Sequence, residues 1–216
     1  MNILAIDTAT DALSIALGSG GAELWSLEAD IGLRHSELVL PLIDTVLKTA
    51  GITPQDLSMV ACMQGPGSFT GVRIGFSTAK GISLALNIPL AAVPTLDCMA
   101  YSWKLSPGIV IPVIDAKRRR YFTALYRHGL RISAYRDSSA ADLAGLIPPY
   151  EPILLTGPAA DMVAQEWGNP LGLSVSPYAR GGNARALVDC VRDGYGIMGK
   201  ELQPLYIRKS DAEEKI

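Results

Sequence analysis

Histidine and cysteine are scarce in this sequence. Its two histidines, His35 and His128, are far apart and form no HxxxH or HExxH pair, which excludes a zinc-peptidase site built on one helix face. Its three cysteines, Cys62, Cys98 and Cys190, are odd in number and form no CxxC pair. That excludes a disulfide framework or a zinc ribbon and points to a reducing cytoplasm. Long apolar runs are missing as well. The longest, Leu84 to Pro94, is broken by Asn87 and Pro89 and is too short to span a bilayer. The opening MNILAIDT carries Asp7 and no basic region, so it does not read as a signal peptide. Charge is sparse too, at 19% of residues, and the net charge of −2 excludes gripping nucleic acid by bulk attraction. Apolar residues are plentiful, at 49% of 216, enough to build a core and to exclude a disordered chain. The length suits one large domain or two small ones.

The periodicity changes along the chain. Ile3–Ile6, the alternating Leu13, Ile15 and Leu17, and the stretch from Ala22 to Glu28 after a Gly18–Gly21 turn predict three strands in an antiparallel meander. From His35 to Ala50 the apolar residues recur at helical spacing, and Gly51 is placed to cap the helix end. A strand (58–64), a Gly/Pro loop (65–71), a helix (about 72–86), a strand (90–93) and a helix from Thr95 follow. The order βββαβαβα predicts an α/β layer.

The second half starts the pattern again. Shifting by 108 residues aligns Ile3–Leu17 with Ile111–Leu125 and gives five identities in fifteen. Chance would give about one. Asp7 and Asp115 become equivalent, each at the end of an apolar run. Strand and Gly-Pro recur as Val60 to Pro66 and Ile153 to Pro158. The reading is two lobes of one ancestral unit, residues 1–103 and 104–216, joined near Trp103–Pro107, with the second copy lacking the Gly-rich loop.

Chemistry can reside in few places. Asp7, with Thr8 beside it, and Asp115 end the first strand of their lobes, at the expected mouth of a cleft. There a carboxylate can hold a phosphate-bound magnesium, or it can cap the turn by accepting backbone N–H bonds. The turn after Asp7 contains no glycine, which weakens a phosphate cradle. The loop Gly65-Pro66-Gly67-Ser68-Phe69-Thr70-Gly71 lacks the GxxxxGK[ST] spacing of a Walker site. It reads either as a ligand loop or as a tight turn for close helix–sheet packing. Ser68 is not in a GxSxG elbow. Two helices carry more apolar or small surface than one buried stripe requires: Leu38, Val39, Leu42, Ile43 and Val46 on the first, and the row Gly71, Gly75, Ala79 and Ser83 on the second. These are the candidate partner interface, against the alternative that they complete the lobe's own core. Finally, residues 104–136 hold eight basic side chains and one acid, Asp115. Lys117, Arg118, Arg119 and Arg120 form the densest part, either a contact for RNA phosphates or a solvated hairpin face.

The run from Gln64 to Gly75, continued by Ser77-Thr78-Ala79-Lys80-Gly81, closely resembles the signature of the bacterial TsaB (YeaZ) family. MNILAIDTAT, Arg34-His35-Ser36-Glu37 with Leu40-Pro41, Ile114-Asp115-Ala116-Lys117-Arg118 and Pro204-Leu205-Tyr206-Ile207-Arg208 agree with it. The resemblance implies two tandem ribonuclease H-like lobes of the actin/sugar kinase/Hsp70 (ASKHA) superfamily. It also implies a non-catalytic subunit that pairs with TsaD, the metal-bearing transferase of threonylcarbamoyl to adenosine beside the tRNA anticodon. TsaE would join in an ATP-dependent complex, TsaC would supply threonylcarbamoyl-adenylate, tRNA would be the substrate of the complex, and the chain alone would form a homodimer. ATP and metal are expected on the partner subunits, with no cofactor or metal of this chain's own and no membrane association. Where TsaD carries its histidine pair, this chain has Val93-Pro94-Thr95-Leu96-Asp97-Cys98-Met99, without a histidine. The alternative is a small ASKHA-type ATPase or kinase, which the Gly-free turn after Asp7 opposes.

Overall fold

The computed structural model describes residues 1–20, 23–32, 34–176, 182–199 and 201–208; Gly21 and Ala22 of the expected turn and third strand lie outside them. The chain opens with β1 (Ile3–Asp7), β2 (Ala12–Ser19), β3 (Glu23–Asp30), α1 (His35–Ala50), β4 (Met59–Gly65), α2 (Phe69–Leu86), β5 (Leu90–Pro94) and α3 (Thr95–Tyr101). It continues with β6 (Ile109–Asp115), β7 (Tyr121–Thr123), β8 (Tyr126–Arg127), β9 (Leu130–Arg131), β10 (Arg136–Ser138), α4 (Ala140–Ala144), β11 (Ile153–Thr156), α5 (Ala160–Glu166) and β12 (Leu173–Val175). The described part ends with α6 (Ala184–Arg192) and β13 (Ile197–Met198).

Local chemistry sets these boundaries. α1 stops where Gly51 takes a left-handed φ of 70° and its N–H reaches the carbonyls of Leu47 and Lys48. α2 begins three residues before the position the periodicity suggests, because the Ser68 hydroxyl accepts the Gly71 N–H at 3.3 Å and caps it.

Two compact units form, Met1–Cys98 with Arg180–Leu205 and Met99–Ala179 with Tyr206–Ile216. The expected cut at 103/104 therefore needs correction. α6 carries Leu187, Val188 and Val191 into the first unit, where it packs on β1, β2, β4 and β5.

The sheet of the first unit runs β13-β5-β4-β1-β2-β3 and that of the second β10-β7-β6-β11-β12. Apart from β13 in the first sheet and the β8–β9 ribbon that pairs with β6 in the second, the two orders are the same: a central strand (β1, β6) lies between an antiparallel hairpin partner (β2, β7) and a parallel neighbour (β4, β11). Gly65 and Gly157 end the parallel neighbours with φ of 100° and 95°, each just before a proline. The fold thus repeats, but the fifteen-residue alignment overstates it. Asp7 pairs with Ser14 while Asp115 pairs with Tyr121, so the second hairpin turn is one residue shorter. Ala124 and Leu125 are consequently out of register with Ala16 and Leu17; the equivalence of Ile111, Ile114 and Asp115 stands.

All five residues of β1 are buried, so both faces of the first sheet are covered. Alternation places Leu4 and Ile6 in the core with Val39, Ile43 and Val46 of α1 and Phe76 of α2. Ile3, Ala5 and Asp7 point to the opposite face, where α6 lies. The core of the second unit gathers Ile109, Ile111 and Val113 of β6, Tyr121 of β7, Leu155 of β11 and Val163 of α5. Among the described residues, no helix is long and apolar enough to cross a membrane.

Candidate functional site

In the first unit the Asp7–Ala9 turn, the Gly-rich loop and the start of α6 form one packed cluster. Asp7 is fully buried. Its Oδ1 accepts the Ala9 N–H at 2.9 Å, and its Oδ2 accepts the backbone N–H of Asn183 at 2.8 Å and the Asn183 side-chain amide at 3.1 Å. Burial pushes the Asp7 carboxyl above its ordinary value; the bonds from Ala9 and Asn183 and the charge of His35 pull it partly back. Thr8 is buried beside it, and its hydroxyl donates to the Gly71 carbonyl at 2.6 Å. His35, the first residue of α1, is buried too, and its Nε2 has no hydrogen-bond partner among the described residues.

The glycines of the loop are explained by this cluster. A Cβ on Gly67 would lie 2.2 Å from the Ala9 carbonyl oxygen, one on Gly71 2.1 Å from the Thr8 carbonyl oxygen, and one on Gly75 2.2 Å from the Thr8 hydroxyl. The Ser68 N–H donates to the Ala9 carbonyl at 2.8 Å, and the Leu205 N–H donates to the Gln64 carbonyl at 2.7 Å. Of the two readings of the loop, close helix–sheet packing is the one observed. Asp7 and Thr8 are engaged by Ala9, Asn183 and Gly71, so their polar groups close the β1–β2 turn of this unit from within.

The expected interface residues are also redistributed. Val39, Ile43 and Val46 belong to the unit's own core, and Gly71, Gly75 and Ala79 are buried, the two glycines against Thr8. Six of the eight candidates are thus consumed internally, because the wide apolar arc of α1 covers the sheet and α2 together. Leu38 and Leu42 remain half-buried. The exposed residues are others: Leu40 at 58%, which belongs to the same apolar arc of α1, Leu84 at 62%, and Phe69, whose ring carries the Arg73 guanidinium 3.7 Å from its centroid. A shallow depression of about 390 Å³ on α2 is lined by Phe69, Thr70, Arg73, Ile74 and Ser77.

In the second unit Asp115 repeats half of the Asp7 arrangement. Its Oδ1 accepts the Lys117 N–H at 2.7 Å, the same i to i+2 turn bond that Asp7 makes, and its Oδ2 lies 2.9 Å from Lys117 Nζ. Here too the turn-capping reading is the one observed. The following residues are unusual: Lys117, Arg118 and Arg119 have φ of 65°, 59° and 56°. Left-handed backbone costs a residue with a Cβ about 1–2 kcal/mol, so three in succession need support. The Ala116 N–H to Arg120 carbonyl bond (2.9 Å) and the Arg120 N–H to Lys117 carbonyl bond (3.1 Å) close the loop. Arg120 Nε reaches Asp137 Oδ1 at 2.7 Å, and its Nη2 donates to the Asp137 carbonyl. Arg208 bridges Asp137 Oδ2 at 3.2 Å and the Ala116 carbonyl at 3.0 Å. The surface is less basic than the run 104–136 suggests, because Asp137, Glu151 and Glu166 from outside that window pair with Arg120, Arg127 and Arg119. Lys117 and Arg119 nonetheless expose 81% and 84% of their side chains.

Two lobes of like strand order, each with an Asp-capped turn after its central strand, give the chain the ASKHA-like fold that its sequence predicts. Component A of the (R)-2-hydroxyglutaryl-CoA dehydratase of Acidaminococcus fermentans shares that fold, at a TM-score of 0.55 and 13% identity over 87% of this chain and 96% of that one. The YeaZ structure from Pseudomonas aeruginosa is nearer, at 0.76 and 23% identity over 95% and 99%. The family model for TsaD, tRNA N6-adenosine threonylcarbamoyltransferase, matches residues 31–149. Proteins named tRNA threonylcarbamoyladenosine biosynthesis protein TsaB are 37% identical over 128 residues in Bacillus subtilis and 39% over 132 residues in Escherichia coli. Each match covers 59% of this chain and 56% or 55% of the relative, so the matched stretch spans about half the length of these relatives. The chain belongs to the TsaB (YeaZ) family.

Proposed function

We propose that this chain is a non-catalytic subunit of the assembly that places threonylcarbamoyl on adenosine next to the tRNA anticodon, pairing with TsaD. The observation that carries the reading is the closure of the Asp7 turn by Gly67, Gly71, Gly75 and Asn183, which fills with protein the place where a related fold could seat phosphate. ATP and metal chemistry then belong to the partners, TsaD and TsaE. The names of the B. subtilis and E. coli relatives supply the pathway, and the match of residues 31–149 to the TsaD family supports a pairing between two chains of like fold. The pairing surface is the exposed side of α1 and α2, with Leu40, Leu84 and Phe69 as apolar anchors; the same side serves a homodimer when TsaD is missing. Lys117, Arg118 and Arg119 meet tRNA phosphates, and Arg120, the fourth residue of the basic run, backs them through Asp137.

Co-purification with TsaD from the source cell, followed by nucleoside analysis of tRNA after depletion of this chain, tests the reading. Capture of TsaD and loss of threonylcarbamoyladenosine are expected. Micromolar ATP binding by the isolated chain, with turnover abolished in Asp7→Asn, would instead establish the small ATPase or kinase.

A further inference from the structure

We infer that the left-handed turn at Lys117–Arg119 is a preorganised phosphate-contact element, and that the carboxylate of Asp137 holds it in shape for RNA. The inference rests on the tRNA contact proposed above and adds how the contact is built. Three consecutive non-glycine residues with φ of 65°, 59° and 56° are not a conformation that a free hairpin turn adopts. The loop is held there by partners from three distant parts of the unit. Asp137 on β10 receives Arg120 and Arg208; Arg208 also donates to the Ala116 carbonyl at the base of the loop; Glu166 at the end of α5 lies 3.6 Å from Arg119. The outcome is a short basic segment with Lys117, Arg118 and Arg119 exposed on a backbone that is fixed from beneath. Fixing three cations before binding removes ordering cost from the bound state, whereas three cations on a loose loop would lose that advantage.

Bulk electrostatics and preorganisation predict opposite signs for one substitution. Asp137→Asn removes a negative charge beside the patch, so attraction alone would tighten RNA binding. Loss of the clamp would weaken it. Arg208→Lys keeps the charge and removes the planar fork that joins Asp137 to Ala116. The test measures binding of the full chain to a fluorescent, unmodified tRNA transcript by anisotropy, from roughly 50 to 200 mM salt. Circular dichroism and thermal unfolding first establish that each variant folds. We expect Lys117→Ala/Arg118→Ala/Arg119→Ala to lose about ten-fold or more and to flatten the salt dependence. Asp137→Asn and Arg208→Lys are each expected to weaken binding by about three- to ten-fold. If the triple variant loses affinity while Asp137→Asn binds as tightly as the natural chain or tighter, the contact stands and preorganisation is overturned. Should Asp137→Asn not fold, Arg208→Lys decides in the same way. If the natural chain shows no binding, or the triple variant no loss, the tRNA contact itself falls and takes this inference with it.

Discussion

Asp7 and Asn183 are 176 residues apart in the chain, yet the Asp7 carboxylate accepts both the backbone N–H and the side-chain amide of Asn183. This link joins the first strand to the cap of α6 and closes the face of the sheet that α1 and α2 leave open. It is a structural use of a residue whose position in the fold also suits ligand chemistry.

Removing that carboxylate leaves three donors behind, the N–H groups of Ala9 and Asn183 and the Asn183 amide. Asp7→Ala should therefore destabilise the chain by about 2–4 kcal/mol in urea unfolding. The pH dependence has an unusual sign. The folded-state value of Asp7 is raised above the ordinary 3.8, so the folded chain binds this proton more tightly than the unfolded chain. Its contribution to stability thus falls as pH rises from about 4 through the raised value. Asp7→Asn should remove that part of the slope; an unchanged profile would show that the carboxyl is not perturbed.

Helical glycines offer a paired comparison on α2. A Cβ at Gly71 meets the Thr8 carbonyl oxygen at 2.1 Å, a backbone atom that cannot swing away, whereas Gly81 has nothing within 4 Å. Gly71→Ala should cost about 3 kcal/mol by overpacking. Gly81→Ala should gain up to about 1 kcal/mol from helix propensity. Thermal melts of the two variants check both signs; equal effects would contradict the interlock.

All three cysteines are buried, and burial pushes the Cys62 thiol up to about 12. The Cys98 thiol is pushed well upward by burial first and then by Cys190. Thiolate is thereby suppressed at neutral pH. A charged aromatic disulfide reagent should titrate no thiol in the native chain and three after denaturation. Fast reaction of any one in the native state would place it at the surface.

The two apolar classes on α1 and α2 should respond differently to a charge. Val39 is 2% exposed, and Val39→Glu should unfold the first unit, since an unpaired carboxylate there is desolvated. Leu84→Glu should change stability by less than about 0.5 kcal/mol. If α2 pairs with TsaD, Leu84→Glu should weaken that pairing at least about ten-fold, read by sedimentation or surface binding. A Leu84→Glu chain that pairs normally would move the interface elsewhere.

Much of the fold was legible because its elements are locally encoded. The alternation in β1 and β2, the helical spacing from His35, and Gly51 as a left-handed cap each show their conformation within a few residues. What stayed hidden depends on partners far along the chain. The sequence from Ala184 to Arg192 is amphipathic in any setting, and nothing within it says that Val188 packs against Gly18 of the first sheet. The apolar arc of α1 likewise could not reveal how much of itself its own sheet would cover. At the basic turn, charge was visible, but the pairing of Arg120 and Arg208 with one carboxylate spans up to 71 residues and leaves no local pattern.

The return of α6 to the first sheet also bears on how the protein is born. During synthesis β1 to β5 leave the ribosome long before residues 182–205 are made, and the second unit emerges between them. Until α6 arrives, the face bearing Ile3, Ala5 and Asp7 lacks its cover, and Gln64 lacks its bond to Leu205. The first unit is therefore completed last, although it is translated first. Nascent chains expose a ready-paired sheet with one greasy side from the end of β5 until α6 is made, the kind of surface that chaperones occupy and that aggregates when they do not.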